Sequence, residues 1–221
     1  DTCYSLWINE ILKTTNGGYN WSIQNSGTTQ NLNSIYFINT RGWAVGDNGI
    51  ILRTINGGAA WTSSIAGSIT FRSVYFWDNN TGIIAGEKGI MYNTNNSGLG
   101  WTLVDAGLLA NESTFDLEFG FSTTGYAVGN NGTSGFILQT YDQGKTWQRV
   151  FSSFVPLYSV EIISTKDIVA VGFGGVIFSS NSGGGNWTKV ESKTATSLLQ
   201  IQKVNNDSLA IVGYGGQTLM L

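Results

Sequence analysis

The sequence predicts an all-β chain built from one four-stranded unit repeated along its length, and three observations predict it. An eight-residue pattern recurs five times, at residues 14–21, 54–61, 94–101, 140–147 and 180–187. Its closing tryptophans, Trp21, Trp61, Trp101, Trp147 and Trp187, stand 40, 40, 46 and 40 residues apart. Between them lie short apolar runs bounded by Gly, Asn and Thr, with no helix-period stretch and no helix-capping signature. A period near 40 residues suits four short strands and their turns, the size of one sheet of a β-propeller.

Each element can be justified in order on one unit. "NSIYFIN" (33–39) is an apolar, β-branched and aromatic run; "GWAVGD" (42–47), "GIILRT" (49–54) and "AWTSSI" (60–65) follow, each closed by turn residues. The next unit repeats them as "RSVYFW", "GIIAGE", "GIMYNT" and "WTLVDA". The long interval carries two insertions, near "ANESTF" and in "GNNGTSGF". Near-continuous apolar runs suit sheets buried on both faces. The sole proline, Pro156, falls in a predicted loop.

The pattern predicts a single propeller domain over residues 1–221. Five inner-strand pairs occur, the last at 197–216, while the first motif hairpin precedes any inner strand. Segments 1–25 and 197–221 are therefore expected to complete one shared closing sheet, leaving no open edge and giving five sheets. An alternative count comes from "QTLML" (217–221), which duplicates "EILKT" (10–14). If residues 2–8 add a strand, there are six sheets, two of them incomplete; a fragment of a larger ring is the third arrangement.

The repeated pattern, S/T-x-D/N-x-G-x-x-W, has a mechanical reading. Asn16, Asn56, Asn96 and Asp142 are expected to accept a hydrogen bond from backbone two residues on, with Ser182 in the same place in the last copy. Gly18, Gly58, Gly98, Gly144 and Gly184 stand where the hairpin needs a positive φ. The tryptophan opens the outermost strand and packs beside the turn, burying about 200 Å². These residues resemble the Asp-box, or bacterial neuraminidase repeat, of sialidases, sortilin-type receptors and xyloglucanases. In those families the box is an outer-edge turn far from the active centre. The longer run "GWAVGDNGIILRTINGGAAW" (42–61) is similar to the photosystem II stability and assembly factor propellers and their bacterial relatives. The resemblance implies a fold and a scaffold or assembly role.

Composition removes several chemistries. The chain has no histidine, which excludes the Ser–His–Asp triad, the Cys–His pair and most zinc or copper sites. Sialidase chemistry needs an arginine cluster and the family's Arg-Ile-Pro element; only Arg41, Arg53, Arg72 and Arg149 are present, and that element is missing. The same scarcity leaves no counterpart to the arginine-rich surface through which the assembly factors are thought to bind their photosystem partner. "GFGG" (172–175) leads into a strand, so it is not a phosphate cradle. No cofactor or metal is expected. A net charge of −3 without a basic patch argues against nucleic acid. No transmembrane segment is expected, since no stretch approaches eighteen uninterrupted apolar residues. The single cysteine, Cys3, forms no internal disulfide. With only 11% charged residues on a polar, Asn/Ser/Thr-rich chain, a secreted, cell-surface or periplasmic setting is expected, as for a mature form whose targeting segment has gone.

Two sets of equivalent positions are the candidate sites. Aligned inner strands put Tyr36, Tyr75, Glu118, Glu161 and Gln200 at one central position. Glu118 and Glu161 would then lie roughly 8 Å apart, a spacing that inverting glycoside hydrolysis uses. The plainer alternative is a set of solvated polar groups. The second set is the turn between second and third strands, at Asp47, Glu87, Asn130, Phe173 and Tyr214, joined by linker residues Leu108, Leu109, Phe151, Phe154 and Tyr158. Mixed aromatics and carboxylates on loops suit a protein segment or a sugar. The expectation is a non-enzymatic scaffold that binds a protein partner or larger assembly, with a carbohydrate-binding propeller and then a glycosidase using Glu118 and Glu161 as alternatives.

Overall fold

The computed structural model describes residues 2–120, 123–205 and 208–220. Asp1 and Leu221, the ends of the predicted terminal segments, lie outside them. Among the described residues twenty-two strands form six antiparallel sheets. Sheet one holds β1 (Cys3–Trp7), β2 (Glu10–Thr14) and β3 (Ser22–Gln24). Sheet two holds β4 (Leu32–Ile38), β5 (Arg41–Gly46), β6 (Ile50–Thr54) and β7 (Thr62–Ile65). Sheet three holds β8 (Phe71–Phe76), β9 (Gly82–Gly86), β10 (Met91–Thr94) and β11 (Thr102–Val104). Sheet four holds β12 (Ser113–Gly120), β13 (Thr124–Asn130), β14 (Gly135–Thr140) and β15 (Gln148–Ser153). Sheet five holds β16 (Leu157–Ile162), β17 (Ile168–Gly172), β18 (Ile177–Ser180) and β19 (Thr188–Val190). Sheet six holds β20 (Leu198–Asn205), β21 (Ser208–Gly213) and β22 (Thr218–Met220). The chain divides into two compact units, residues 1–87 with 91–103 and residues 88–90 with 104–221.

Six sheets replace the preferred five. Residues 3–7 pair with residues 10–14, so the first segment makes a three-stranded sheet of its own, and the last segment makes another. Sheet one lacks the first strand of the repeat and sheet six lacks the fourth. The β1–β2 hairpin closes through Ile8 at φ 57°, whereas the equivalent turns of sheets two, five and six are 3-10 turns rich in Gly and Asn. That missing signature hid β1.

Glycine placement sets how the strands meet. Gly42, Gly82 and Gly125 pair with Phe37, Phe76 and Phe119 of the inner strand beside them. A Cβ at Gly42 would lie 2.4 Å from the Phe37 ring, so only glycine lets that ring lie flat over the neighbouring strand. Two of these phenylalanines stack on the preceding sheet, Phe37 on Tyr4 at 3.6 Å and Phe76 on Trp43 at 3.5 Å. Aliphatics fill the rest. Ile11, Leu32, Ala44, Ile50 and Leu52 form one core of the first unit, and Val128, Ile137, Leu157, Val160 and Ala170 one core of the second.

The repeated box is a hydrogen-bonded lock. The hydroxyl of Thr54 donates to Asn56 Oδ1 at 2.9 Å and accepts from the N–H groups of Asn56 and Gly58 at 3.3 and 3.1 Å. Thr14, Thr94 and Thr140 repeat this arrangement, and Ser180 accepts from the equivalent N–H groups of Ser182 and Gly184. The Asn oxygen accepts from backbone four residues on, not two: Asn20 to Asn16, Ala60 to Asn56, Gly100 to Asn96. Ser182 replaces it without loss, accepting from Asn186 N–H at 2.9 Å. All five motif glycines have positive φ, from 72° to 91°. Thr54→Val keeps the shape and leaves the buried Gly58 amide unsatisfied. A cost of about 1–3 kcal/mol is expected by urea unfolding, and an unchanged midpoint would refute the lock.

The box also latches one sheet to its neighbour. Its fourth-residue carbonyl faces the preceding sheet. In the first unit, Tyr4 Oη and Lys13 Nζ donate to Gly57 O at 2.9 and 2.7 Å, and Trp43 Nε1 donates to Ser97 O at 2.9 Å. In the second, Gln139 Nε2 donates to Gly183 O at 2.9 Å and to Tyr126 Oη at 2.8 Å. The motif is structural in each of these contacts.

Candidate functional site

The first predicted set divides between the two units. In the first, Tyr36 on β4 and Tyr75 on β8 meet with ring centroids 4.8 Å apart, and Tyr75 contacts Trp77 at 5.5 Å. In the second, Glu118 on β12 and Glu161 on β16 occupy the predicted register. Gln200 does not. Glu161 pairs with Val169 and Gln202 with Ala210, so Gln202 is the equivalent residue, while Gln200 takes the place of Ser159.

The structure adds Asp116 and Lys203 to the two glutamates. Asp116 is half-buried and accepts from Ser159 Oγ at 2.7 Å and Val160 N–H at 3.1 Å. Ser159 Oγ in turn accepts from Ile201 N–H at 3.3 Å, and Ser34 accepts from Val74 N–H the same way. Asp116 thus fills a bridging position that serine fills elsewhere. Nothing in the sequence marks it as part of a carboxyl cluster except its spacing of two from Glu118. Lys203 places Nζ on Ile163 O at 3.0 Å.

Burial dominates the electrostatics. It pushes Glu118 up to about 8, helped by the negative charges of Glu161 and Asp116, so Glu118 is protonated at neutral pH. Burial raises Asp116 against the donors from Ser159, Val160 and Leu117. Burial also raises Glu161, opposed by the Lys203 N–H and its charge. A protonated carboxyl near a second carboxyl can in principle give and take a proton. Among the described residues, the small concavity of about 130 Å³ beside Gly120, Tyr126 and Ile162 is lined by neither glutamate.

The second predicted set divides by chemistry. Asp47 is tied to Asn31 and Asn33 at 3.0 and 3.1 Å, Glu87 to Arg72 at 2.8 Å, and Asn130 accepts from Gly132 N–H at 2.9 Å. These three hold their turns. Phe173 (53% exposed) and Tyr214 remain open to solvent, as do Leu109 and Phe154, the last 98% exposed. Phe151 is no surface residue, since it packs on Phe178 at 4.8 Å and on Trp187 at 6.0 Å. Tyr158 sits half-buried against Phe115 at 5.6 Å. Phe154, Phe173 and Phe178 line a concavity of about 400 Å³ together with Lys189 and Glu191.

Antiparallel sheets carrying five Asp-box hairpins define the chain as an Asp-box β-propeller. Residues 8–102 match the family model described as photosynthesis system II assembly factor YCF48. No curated protein matches the sequence. Among solved structures, YCF48 bound to D1 peptide is similar at 17% identity and TM-score 0.56, over 99% of this chain and 89% of that one. YCF48 from Cyanidioschyzon merolae is similar at 16% identity and TM-score 0.70, over 96% and 76%. The GH74 xyloglucanase from Xanthomonas campestris is similar at 11% identity and TM-score 0.76, over the whole of this chain but only 43% of that one. At such identities these likenesses show the fold alone.

Proposed function

We propose that this protein is a non-enzymatic scaffold or assembly component that grips a protein partner in a secreted, cell-surface or periplasmic setting. The observation that carries the reading is the exposed pair Phe154 and Phe173 on the rim of the Lys189–Glu191 concavity. Large aromatics left in water on loops beside a concavity are the anchors that protein interfaces use. The match of residues 8–102 to the YCF48 model supports it, because one YCF48 structure is described with a D1 peptide bound. The sparse charge of the surface supports the extracytoplasmic setting.

The test is affinity capture from the native source with Phe154→Ser/Phe173→Ser beside the wild type. Loss of two anchors is expected to weaken retention of the specific partner about 30-fold. Equal retention by the folded double variant would overturn the assignment. Glu118 and Glu161 favour a second reading, carbohydrate binding or hydrolysis, and the GH74 likeness in fold supports it. Oligosaccharide cleavage by the wild type that Glu118→Gln abolishes would establish that reading instead.

A further inference from the structure

We propose that the box end of the first unit, at the turn tips of sheets one to three, is a peripheral membrane-binding surface that takes the headgroups of an anionic bilayer. The inference is independent of the protein-binding reading and concerns a different unit from Phe154 and Phe173.

Two kinds of turn meet at that end. Gly57 N–H donates to Thr40 O at 2.7 Å and Ser97 N–H to Asn80 O at 2.8 Å, so each box turn lies beside the turn joining the first two strands of its sheet. The charges of the unit sort along this direction. Lys13, Arg41 and Arg53 stand at the box ends of β2, β5 and β6, whereas Glu10, Asp47 and Glu87 stand at or beside the opposite strand ends. Arg72, the fourth cation of the unit, is paired there with Glu87. Lys13, Arg41 and Arg53 have no carboxylate partner among the described residues. Asp78 is the one described carboxylate at the box end, and it is tied to the N–H groups of Asn80 and Thr81 at 2.6 and 2.7 Å.

Arg53 is not used by the fold. It takes the register position from which Lys13 and Gln139 donate to the next box carbonyl, opposite Trp43 as they are opposite Tyr4 and Tyr126. In sheet two that carbonyl, Ser97 O, is held by Trp43 Nε1. Arg53 Nε is buried with no partner, and the guanidinium forms no hydrogen bond or ion pair among the described residues. Arg41 stands diagonally across the β5–β6 pair, with Nη1 on Ser97 Oγ at a long 3.3 Å. Arginine donors left without an acceptor call for one from outside, and their planar fork suits a phosphodiester.

Apolar side chains lie at the same end. Tyr19 is 87% exposed, Ile55 59% and Leu99 75%. They occupy the second and sixth places of the box, and those places are exposed in all five copies. Their exposure therefore belongs to the turn and not to the ends of the chain. Each stands on the turn of a separate sheet, so a partner that touches all three is broad and flat. A bilayer surface meets that need. Tyrosine and branched aliphatics enter the headgroup boundary, while lysine and arginine attract anionic lipid.

Flotation with phosphatidylcholine vesicles, with and without roughly one-third phosphatidylglycerol, reads the surface directly. The full chain is expected to float with the anionic vesicles at low salt, to be released as salt is raised, and to remain unbound with the neutral ones. Arg41→Gln/Arg53→Gln should weaken association about 30-fold, and Tyr19→Ser/Ile55→Ser/Leu99→Ser about tenfold or more. In Cys3→Ser/Leu99→Cys, a polarity-sensitive dye on the new thiol should shift to the blue with anionic vesicles, which attraction by charge alone would not produce. Circular dichroism checks that the variants fold; should the arginine variant unfold, the apolar variant and the dye decide. Equal retention on neutral and anionic vesicles, unchanged retention of either folded variant, or a dye that does not shift would each overturn the proposal. Displacement by inorganic phosphate at constant ionic strength would overturn it in favour of a free-anion site, and equal binding of soluble poly-glutamate in favour of an acidic protein segment. Phe154→Ser/Phe173→Ser should leave flotation intact, which separates failure here from failure of the loop surface.

Discussion

Replacing Gly46 with Ala will cost about 3 kcal/mol or more of stability, the cost of forcing a methyl into a space already filled by backbone. The new Cβ would lie 1.9 Å from the carbonyl oxygen of Asn31 and 2.9 Å from its carbon. Neither can yield, because Asn31 O accepts from Asp47 N–H at 3.0 Å and Leu32 is paired with Gly46 across the β4–β5 bulge. The φ of Gly46 is −166°, extended backbone that alanine adopts freely, so the penalty is steric. Gly86, Gly129 and Gly172 meet backbone oxygens at 2.0–2.1 Å and should respond alike. Gly27→Ala is the control: φ is 72° with nothing within 4 Å, so only the left-handed strain of about 1–2 kcal/mol applies. Urea midpoints at equal slope would measure both. A Gly46→Ala cost no greater than that of Gly27→Ala would contradict the packing described for the second strand.

Stability will fall as pH rises from about 5 to 8, and Glu118 will be the main cause. Its folded value of about 8 lies above its ordinary 4.5 because burial, then Glu161, then Asp116 disfavour the charge. Between those values the folded chain holds a proton that the unfolded chain has released, so raising the pH favours unfolding. Above the folded value both states are ionised and the slope ends. The difference corresponds to a loss on the order of 4 kcal/mol across the window. Glu161 is raised too, chiefly by burial, and adds in the same direction. Glu118→Gln should remove most of the slope, stabilising the protein at pH 8 while changing little at pH 5. A parallel slope in the variant would mean that Glu118 is solvated and ionised in the fold.

The sequence disclosed the repeat because five Gly-Trp turns recur at one period, and each turn demands the same few residues. It misjudged the first sheet because β1 has Cys3 and Tyr4 where β5 has Gly42 and Trp43, and closes through Ile8 with no glycine turn. Tyr4 still does the work of Trp43, since each reaches the next box carbonyl. Gln200 was misplaced because Gln200 and Gln202 share one face of β20, and a period of two cannot choose between them. A bulge between Leu198 and Gln200, repeated in every inner strand, sets the register. Glu118 and Glu161 were legible as a pair. Asp116 was not, because it occupies a serine position and only the fold reveals that it bridges to Val160.

The loop surface, and not the carboxyl cluster, is the centre of the functional account. Asp116 is fully engaged in bridging, and Glu161 is held by Lys203, so the cluster is better explained as part of the inner-strand framework. The most direct measurement is a structure of the protein purified from its native source with whatever remains attached. The account predicts a protein partner seated over Phe154 and Phe173. A lone chain with saccharide density against Glu118 and Glu161, and water on both phenylalanines, would contradict it.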